Sequence, residues 1–403
     1  MTLNIERIRQ DFPILQRKLS GKPLIYFDNA CMTLKPASVI AAMNEYYENF
    51  PACVGRSAHK LSKLATEKYT EAREKVAKFI GAKPSEVIFT RNTTEGINLI
   101  ASCLDFKAGD IVLTTDKEHN SNLLPWQQLK EKGILHKICH SKPDGTFDLE
   151  NFKKNLDKNV KLVSMVHTSN IDGTTIPAES IIELAHKNGS LALLDAAQSV
   201  PHKKIDVKKL DVDFLAFSGH KMCGPTGMGI LYGKFDLLKK LKPFMVGGDT
   251  VKSTTYETAE FLLPPEKFEA GLQNYAGAIG FGAAAEYLQK IGLENIEKHE
   301  IELNKFITEE IAKIPGVRIL CPQNPELRSG IISFTIDGLD IHYVAQLLDN
   351  MANIAVRSGQ HCVHSWFNAH KILGSVRVSL YFYNTKEEAR IFIDTLKKIC
   401  ELR

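Results

Sequence analysis

The sequence predicts an α/β protein with a large domain built on a mostly parallel sheet and a smaller α/β domain behind it. First, a chain of 403 residues is too long for one simple core. Second, apolar segments of strand length alternate with helical segments from about residue 60 to 235. Third, another alternating unit follows a long helical stretch. This order of elements is typical of an open sheet covered by helices on both faces.

Seven apolar strands are predicted in the large domain. They are placed at residues 87–90, 111–115, 136–140, 161–168, 191–195, 214–217 and 229–232. Helices are predicted at residues 61–80, 94–104 and 179–187 and directly after Asn122. Because only a turn separates the last two strands, we expect an antiparallel element there.

The C-terminal part is predicted to begin after a loop region at residues 243–270. A long helix is expected at residues 277–314, and the chain is expected to close with an amphipathic helix at residues 386–402. The predicted strands between these helices are residues 317–320, 330–335, 355–357 and 376–379. This second unit therefore also alternates, as a separate small α/β domain does.

Composition and charge argue against several classes of protein. Hydrophobic residues make up 44% of the chain and charged residues 24%, with a net charge of +4, which is ordinary for a globular protein. Basic residues are dispersed, so nucleic-acid binding has little support. The first ten residues alternate charged and apolar side chains, and no apolar run is long enough to cross a bilayer. We therefore expect a cytoplasmic protein that does not bind membranes.

Eight cysteines are scattered along the chain without a Cys-x-x-Cys pair. They are Cys31, Cys53, Cys103, Cys139, Cys223, Cys321, Cys362 and Cys400. This spacing argues against a disulfide framework and against a structural zinc site, and we expect most of these thiols to be small buried hydrophobes. The segment from His361 to His364 has metal-ligand side chains but no partner pair, so no metal is predicted.

Lys221 lies between an apolar strand and a glycine-rich turn, in the stretch of residues 215–229. A lysine on such a rim is suited to form an imine with an aldehyde cofactor. Asp195 ends a buried strand, where its carboxylate can neutralise a pyridinium nitrogen. Together the two residues predict pyridoxal 5'-phosphate as the cofactor.

Further side chains supply the other contacts that this cofactor needs. Gln198 is the candidate donor to the phenolic oxygen, and His119 is the candidate for ring stacking or proton handling. Thr93 and Thr94 begin a predicted helix, where free N–H groups and the helix dipole favour a phosphate. Ser218 and His220 would complete that phosphate cup. Taken singly, each residue also fits an ordinary helix cap or strand end, and their order around Lys221 favours the cofactor.

Several motifs resemble the class V aminotransferase group of pyridoxal-phosphate enzymes, and within it group II cysteine desulfurases and selenocysteine lyases. The resemblance extends from about residue 20 to the C-terminus. It is carried by residues 26–30, 89–99, 118–119, 125–127, 167–170, 195–198 and 217–221. It implies the fold-type I architecture with a seven-stranded sheet, and a homodimer with active sites near the subunit interface. It also implies a division into residues 1–20, which pack with the small domain, a large cofactor domain at 21–290, and a small domain at 291–403.

The resemblance assigns substrate residues in the second half. Cys362, in residues 355–362, matches the cysteine that forms a persulfide, and Arg377, in residues 375–379, matches the arginine that binds the substrate carboxylate. Asn170 and Arg357 are further candidates for substrate contacts. The implied reaction converts L-cysteine to L-alanine, with sulfur passed from Cys362 to an acceptor or scaffold protein, for example in iron–sulfur cluster assembly. Lys221 and His119 join Cys362 as the candidate catalytic residues.

The chain departs from the family pattern at several positions. Gly55 stands where relatives have a histidine, Leu272 where they have a threonine that reaches the neighbouring subunit's phosphate, and Cys31 where they have an alanine. Residues 363–367 also differ. Selenocysteine as a substrate, another lyase activity, an aminotransferase, an epimerase and a partner protein without turnover therefore stay open as alternatives.

Overall fold

The computed structural model describes residues 3–320 and 322–402. Cys321, residues 1 and 2 of the predicted N-terminal segment, and residue 403 lie outside the described residues. The α-helices within the described ranges are Ile5–Gln10, Ala37–Asn49, Lys60–Phe79, Thr93–Cys103, Leu124–Gln128, Leu149–Asn155, Ala178–Lys187, Val207–Leu210, Phe235–Lys240, Tyr275–Ile291, Leu293–Ile311, Ile341–Ala352, His364–Ala369 and Lys386–Cys400. In this part of the chain, no helix is both long and apolar enough to span a bilayer.

The central sheet has seven strands, which confirms the predicted mostly parallel arrangement. They are β1 (Val87–Thr90), β2 (Ile111–Thr115), β3 (Leu135–Cys139), β4 (Val160–Val166), β5 (Leu191–Asp195), β6 (Phe214–Ser218) and β7 (Gly229–Gly233). Their order across the sheet is β1-β7-β6-β5-β4-β2-β3. Strand β7 is antiparallel to both of its neighbours, as the short connection from β6 requires. The carboxyl ends of the other six strands therefore share one edge of the sheet.

Both faces of this sheet are buried. Alternate residues of a strand belong to different apolar clusters: Leu113 and Leu194 pack on one face, while Val112 and Leu193 pack on the other. Because side chains alternate across a strand, an apolar run such as β5 can fill both cores at once. This arrangement explains why the strands are continuous apolar segments in the sequence.

The C-terminal unit has its own antiparallel sheet and core. Its strands are β8 (Val317–Ile319), β9 (Ile331–Ile336), β10 (Arg357–Gly359) and β11 (Ser375–Ser379), in the order β8-β9-β11-β10. The predicted strand at 355–357 is wrong as one element. Residues Ile354–Ala355 instead pair with Ile25–Tyr26, and a new strand begins at Arg357.

Two further expectations are corrected. The predicted helix at 277–314 is two helices, because Gly292 between them adopts φ +88°, a left-handed conformation that favours glycine and ends the first helix. The region 243–270 is not all loop, since Val251–Thr254 pairs with Ala259–Phe261.

The N-terminal segment contacts both halves of the chain. Arg9 pairs with Glu388 at 2.9 Å and donates to the carbonyl of Tyr383, both in the C-terminal unit. Phe12 meanwhile packs on Tyr287, which precedes residue 291. The proposed domain boundaries stay a prediction.

A close backbone contact holds β7 beside the start of the helix Thr93–Cys103. A Cβ atom at Gly229 would lie 2.5 Å from the Cα of Asn92. We expect Gly229→Ala to lower the free energy of unfolding by about 1–3 kcal/mol, as overpacking does. Urea denaturation measures this change. Gly247→Ala is the control, since nothing lies within 4 Å of its Cβ position, and an equal loss in that variant would contradict the argument.

Candidate active site

All twelve predicted site residues line one cavity of about 220 Å³. The cavity lies at the edge where the parallel strands end, because the loops after β1, β2, β4, β5 and β6 converge there with residues of the C-terminal unit. The predicted residues are Thr93, Thr94, His119, Asn170, Asp195, Gln198, Ser218, His220, Lys221, Arg357, Cys362 and Arg377. Eight residues that were not predicted as site residues line it as well; they are Ala30, Cys31, Asn92, Ser121, Val166, Thr168, Ala197 and His361.

Lys221 and Asp195 interact electrostatically in this cavity. Lys221 ends the short turn Gly219–Lys221 that follows β6. Burial lowers the pKa of Lys221, and the positive charge of Arg377 lowers it further, while Asp195 opposes the shift. Burial raises the pKa of Asp195, which is 3% exposed and accepts one hydrogen bond, from the N–H of Ala197 at 3.0 Å. The arrangement favours a neutral lysine amine near a carboxylate that has spare acceptor capacity.

The start of the helix Thr93–Cys103 forms one end of the cavity. Asn92 caps this helix by accepting from the N–H of Glu95. Thr93 donates its N–H to Ser218 Oγ at 2.9 Å, and the Thr94 hydroxyl lies 2.7 Å from that of Ser121. An eleven-residue helix whose first turn carries hydroxyl side chains is suited to bind a phosphate.

His119 follows β2 and begins a short turn. Its Nδ1 accepts the N–H of Ser121 at 3.1 Å, so the neutral ring carries its proton on Nε2. Burial, followed by the positive charges of Lys221 and Arg377, lowers the pKa of His119 to about 3. The imidazole is therefore neutral in the physiological pH range.

Buried Glu118 holds this turn in place. Its carboxylate accepts from the N–H groups of Thr115 and Val166 and from the side chains of Thr115 and Asn122. Because these partners belong to β2, β4 and the turn itself, Glu118 fixes His119 relative to the sheet. The sequence motif contained Glu118, but this role was not predicted.

Gln198 and His220 complete the cofactor side of the cavity. Gln198 donates one amide hydrogen to the carbonyl of Ala30 at 2.7 Å, and its buried Oε1 has no hydrogen-bond partner among the residues that the structure describes. The backbone carbonyl of His220 accepts a hydrogen bond from the N–H of Thr33. Burial lowers the pKa of the His220 imidazole to about 4. Unpaired buried polar atoms such as Gln198 Oε1 are costly unless a ligand or water satisfies them.

Arg377 lies on β11 and is 2% exposed. It donates from Nη1 to the carbonyl of Asn170 at 3.0 Å and contacts Asp28 through Nη2 at 3.4 Å. Its Nε and the Oδ1 of Asn170 are buried and have no hydrogen-bond partner among the described residues. A guanidinium held this way has a free donor for a carboxylate.

Cys362 lies in a tight loop between β10 and the helix His364–Ala369. His361 and Cys362 both adopt left-handed backbone conformations, with φ values of +49° and +61°. The side chain of Asn170 donates to the carbonyl of His361 at 2.7 Å, and the N–H of Asn120 donates to the carbonyl of Cys362 at 2.8 Å. Two loops of the central sheet therefore hold the cysteine loop through its backbone.

The departures from the family pattern occupy different places. Gly55 and Leu272 do not line this cavity; Gly55 has no atoms near its Cβ position, and the Leu272 side chain is exposed. Cys31 does line the cavity, with its Sγ 2.9 Å from Nη1 of Arg357. That contact joins residues 326 positions apart, so no local pattern could have revealed it.

The expectation about the cysteines is partly wrong. Cys103, Cys139 and Cys223 are buried, but Cys31, Cys362 and Cys400 are partly exposed and Cys53 is exposed. All seven described cysteines are free thiols. Within the described ranges, no group of three or more histidine, cysteine or acidic side chains is arranged to hold a metal ion.

Comparison with known proteins places this architecture in a family. Residues 25–392 match the family model described as Aminotransferase class-V. The chain belongs to this family. A relative from Synechocystis named as a probable cysteine desulfurase is 45% identical over 397 residues, covering 97% of this chain and 94% of that protein.

Two solved structures are similar over the whole chain. The apo cysteine desulfurase of Thermococcus onnurineus superposes with a TM-score of 0.95 at 39% identity, covering 100% of this chain and 99% of the other. The cysteine desulfurase CsdA of Escherichia coli gives a TM-score of 0.92 at 31% identity, with 100% of both chains covered. The predicted resemblance and the fold-type I architecture are confirmed.

The neutral state of His119 has a consequence for stability. In the unfolded chain this histidine takes up a proton near pH 6.5, but in the folded protein it does so only near pH 3. Between these two pH values the unfolded state binds more protons than the folded state, so the free energy of unfolding decreases as the pH falls. Between pH 7 and pH 5, we expect the free energy of unfolding of His119→Gln to decrease by about 1–2 kcal/mol less than that of the parent protein. Urea denaturation at both pH values measures this, and an equal loss in both proteins would contradict it.

Proposed function

We propose that the protein is a pyridoxal-phosphate-dependent cysteine desulfurase that converts L-cysteine to L-alanine and carries the sulfur as a persulfide on Cys362. The observation that supports this most directly is the meeting of Lys221, Arg377 and Cys362 in one cavity. A cofactor-binding amine, a carboxylate-binding guanidinium and a thiol nucleophile are the groups that the reaction requires. The names of the relatives agree with it.

The cofactor fits the donors and acceptors that the cavity presents. Lys221 would attach it, Asp195 would meet the ring nitrogen, and Gln198 would face the phenolic oxygen. The helix start at Thr93 and Thr94, with Ser218 and His220, would hold the phosphate, and His119 would lie against the ring. Pyridoxal phosphate, when bound, supplies the electron sink that labilises the bonds around the substrate α-carbon.

The protein's own residues then bind and orient the amino acid. Arg377 offers its Nε–H, which has no partner among the described residues, to the substrate carboxylate. Asn170 can donate the second hydrogen of its Nδ2, since the first is bonded to the carbonyl of His361. This fixes the α-carbon near Lys221, whose lowered pKa favours the neutral amine that can take the α-proton on Nζ. Arg357 is the third candidate for substrate contact. Its guanidinium lies 3.8 Å from the Cys362 sulfur, where it places a positive charge beside the nucleophile.

Sulfur transfer uses Cys362 as the nucleophile. Its thiolate forms a bond to the substrate sulfur as the bond from that sulfur to the β-carbon breaks, which leaves a persulfide on the enzyme. The electron pair of the broken bond goes to the β-carbon, which takes up a proton, and Lys221 Nζ returns the α-proton to give alanine. An acceptor thiol, on a sulfur-acceptor or scaffold protein such as those of iron–sulfur cluster assembly, would then remove the outer sulfur. A cytoplasmic location stays a prediction of the sequence.

The role of Cys362 is tested by Cys362→Ala. We expect alanine formation from L-cysteine to fall roughly 10³-fold or more, the scale on which removal of a covalent nucleophile acts, while the absorption spectrum of bound cofactor is kept. Alanine is quantified by mass spectrometry. The control is Cys53→Ala, which removes an exposed thiol that does not line the cavity.

Two outcomes would point to the alternatives. Undiminished alanine release from L-cysteine by Cys362→Ala would rule out the persulfide route. Strong loss with L-cysteine but full activity with L-selenocysteine would indicate that the thiol serves only the sulfur reaction.

We also propose a homodimer. Leu272 is exposed at the position where the resemblance places a contact with the neighbouring subunit, and Met245, which lines a second cavity with Leu272, is exposed as well. Val246, Tyr256 and Leu263 are further exposed large apolar side chains in this part of the chain. Exposed apolar surface is typical of protein interfaces.

Light scattering after gel filtration tests the dimer. We expect a native mass of twice the 45.0 kDa chain, and a shift toward the single-chain mass for Leu272→Asp, because a buried unpaired charge opposes association. A native mass equal to one chain in the parent protein would contradict the proposal.

A further inference from the structure

A second thiol lies in the active-site cavity opposite the cysteine loop. Cys31 lines the cavity together with Cys362, although the family resemblance calls for an alanine at that position. Its backbone is fixed on both sides: Ala30 donates its N–H to Ser379 and accepts from Gln198, and the N–H of Cys31 itself bonds to the carbonyl of Asp28. The position of this sulfur is therefore set by the fold.

One arginine contacts both sulfur atoms. Nη1 of Arg357 lies 2.9 Å from Cys31 Sγ, and Nη2 of the same guanidinium lies 3.8 Å from Cys362 Sγ. Since the guanidinium is planar and permanently charged, it places positive charge beside both sulfur atoms. Lys221 and Arg377 also interact electrostatically with Cys31, so the positive charge around it does not depend on Arg357 alone.

A packing role does not explain this thiol. Its side chain is only partly buried, and its sulfur contacts the charged end of Arg357 rather than an apolar cluster. A sulfur atom that borders a cavity, meets a fixed cation and shares that cation with a second thiol has the environment of a reactive cysteine.

We propose that Cys31 is a second sulfur-carrying residue, which takes the outer sulfur atom from the persulfide on Cys362. This inference rests on the proposed function. The Cys31 thiolate forms a bond to the outer sulfur as the bond between that sulfur and Cys362 Sγ breaks, and the electron pair leaves on Cys362. A thiolate and a persulfide become a persulfide and a thiolate, so the exchange needs no oxidant or reductant.

The geometry suits this exchange. A persulfide at Cys362 carries its outer sulfur one S–S bond, about 2 Å, beyond Sγ, in the cavity that Cys31 also lines, and both cysteines contact the same guanidinium. Transfer returns Cys362 to the thiolate while Arg357 still contacts both sulfurs. The site could then process a second cysteine before the first sulfur leaves, and so hold two sulfur atoms.

The holoenzyme tests this with two equivalents of sulfur-labelled L-cysteine per site, without added reductant or acceptor. Thiols and persulfides are alkylated at successive times, and the peptides are analysed by mass spectrometry. In the parent protein we expect label first on Cys362 and then on Cys31, approaching two sulfurs per site. In Cys31→Ala and Cys31→Ser we expect label on Cys362, with at most one sulfur per site.

The remaining variants separate this inference from the proposed function. Label on Cys362 but none on Cys31 in the parent protein would overturn the inference and leave the function intact. Absence of label on Cys362 in all proteins would overturn the function. In Cys362→Ala we expect Cys31 to stay unlabelled, because the proposed transfer passes through Cys362. Label on Cys31 in this variant would contradict the transfer. Exposed Cys53 is the internal control, and label there equal to that on Cys31 would show unspecific migration and overturn the inference.

Discussion

A set of backbone-directed hydrogen bonds between the central sheet and the C-terminal unit holds the site together. Arg377 donates to the carbonyl of Asn170, and Asn170 donates in turn to the carbonyl of His361. Asn120 adds a bond to the carbonyl of Cys362. These bonds join the strand ends where Lys221 lies to the loop that carries the thiol. They therefore contribute directly to the distance between the two halves of the proposed chemistry.

Charge in the cavity is arranged around two guanidinium groups. Arg357 and Arg377 lie on the neighbouring strands β10 and β11. Burial, Lys221 and these two arginines together lower the pKa of His119. Burial and the nearby Arg377 and Arg357 also lower the pKa of His361 to about 2. Neutral imidazoles can donate or accept a hydrogen bond without adding to the positive charge. The cavity thus offers its positive charge to anionic groups: a phosphate, a carboxylate or a thiolate.

The strongly periodic parts of the fold could be predicted from the sequence. Strands β1, β2 and β5 begin and end at the predicted residues, because buried apolar runs leave few alternatives. The prediction of one long helix was wrong at Gly292, where the sequence pattern continues but the backbone adopts a left-handed conformation. The prediction of one strand at 355–357 was wrong because its first half pairs with a segment more than 300 residues away. Local sequence patterns cannot reveal pairings of that kind.

For the site, residue types near strand ends could be predicted, and contacts between distant loops could not. Lys221, Asp195 and the helix start at Thr93 occupy positions that a parallel sheet dictates. Arg377 and Cys362 required the family resemblance, since their neighbours lie far away in the chain. Cys31 was visible as an unusual residue, but its meeting with Arg357 emerged only from the fold.

The short, backbone-bonded loop around Cys362 constrains delivery of the product. Its two left-handed residues and its two bonded carbonyls leave the thiol little length of free chain with which to swing outward. Under the proposed function, an acceptor has to reach the thiol inside the cavity. Such a protein would need an extended tip narrow enough to enter the cavity mouth, with its own thiol at the end.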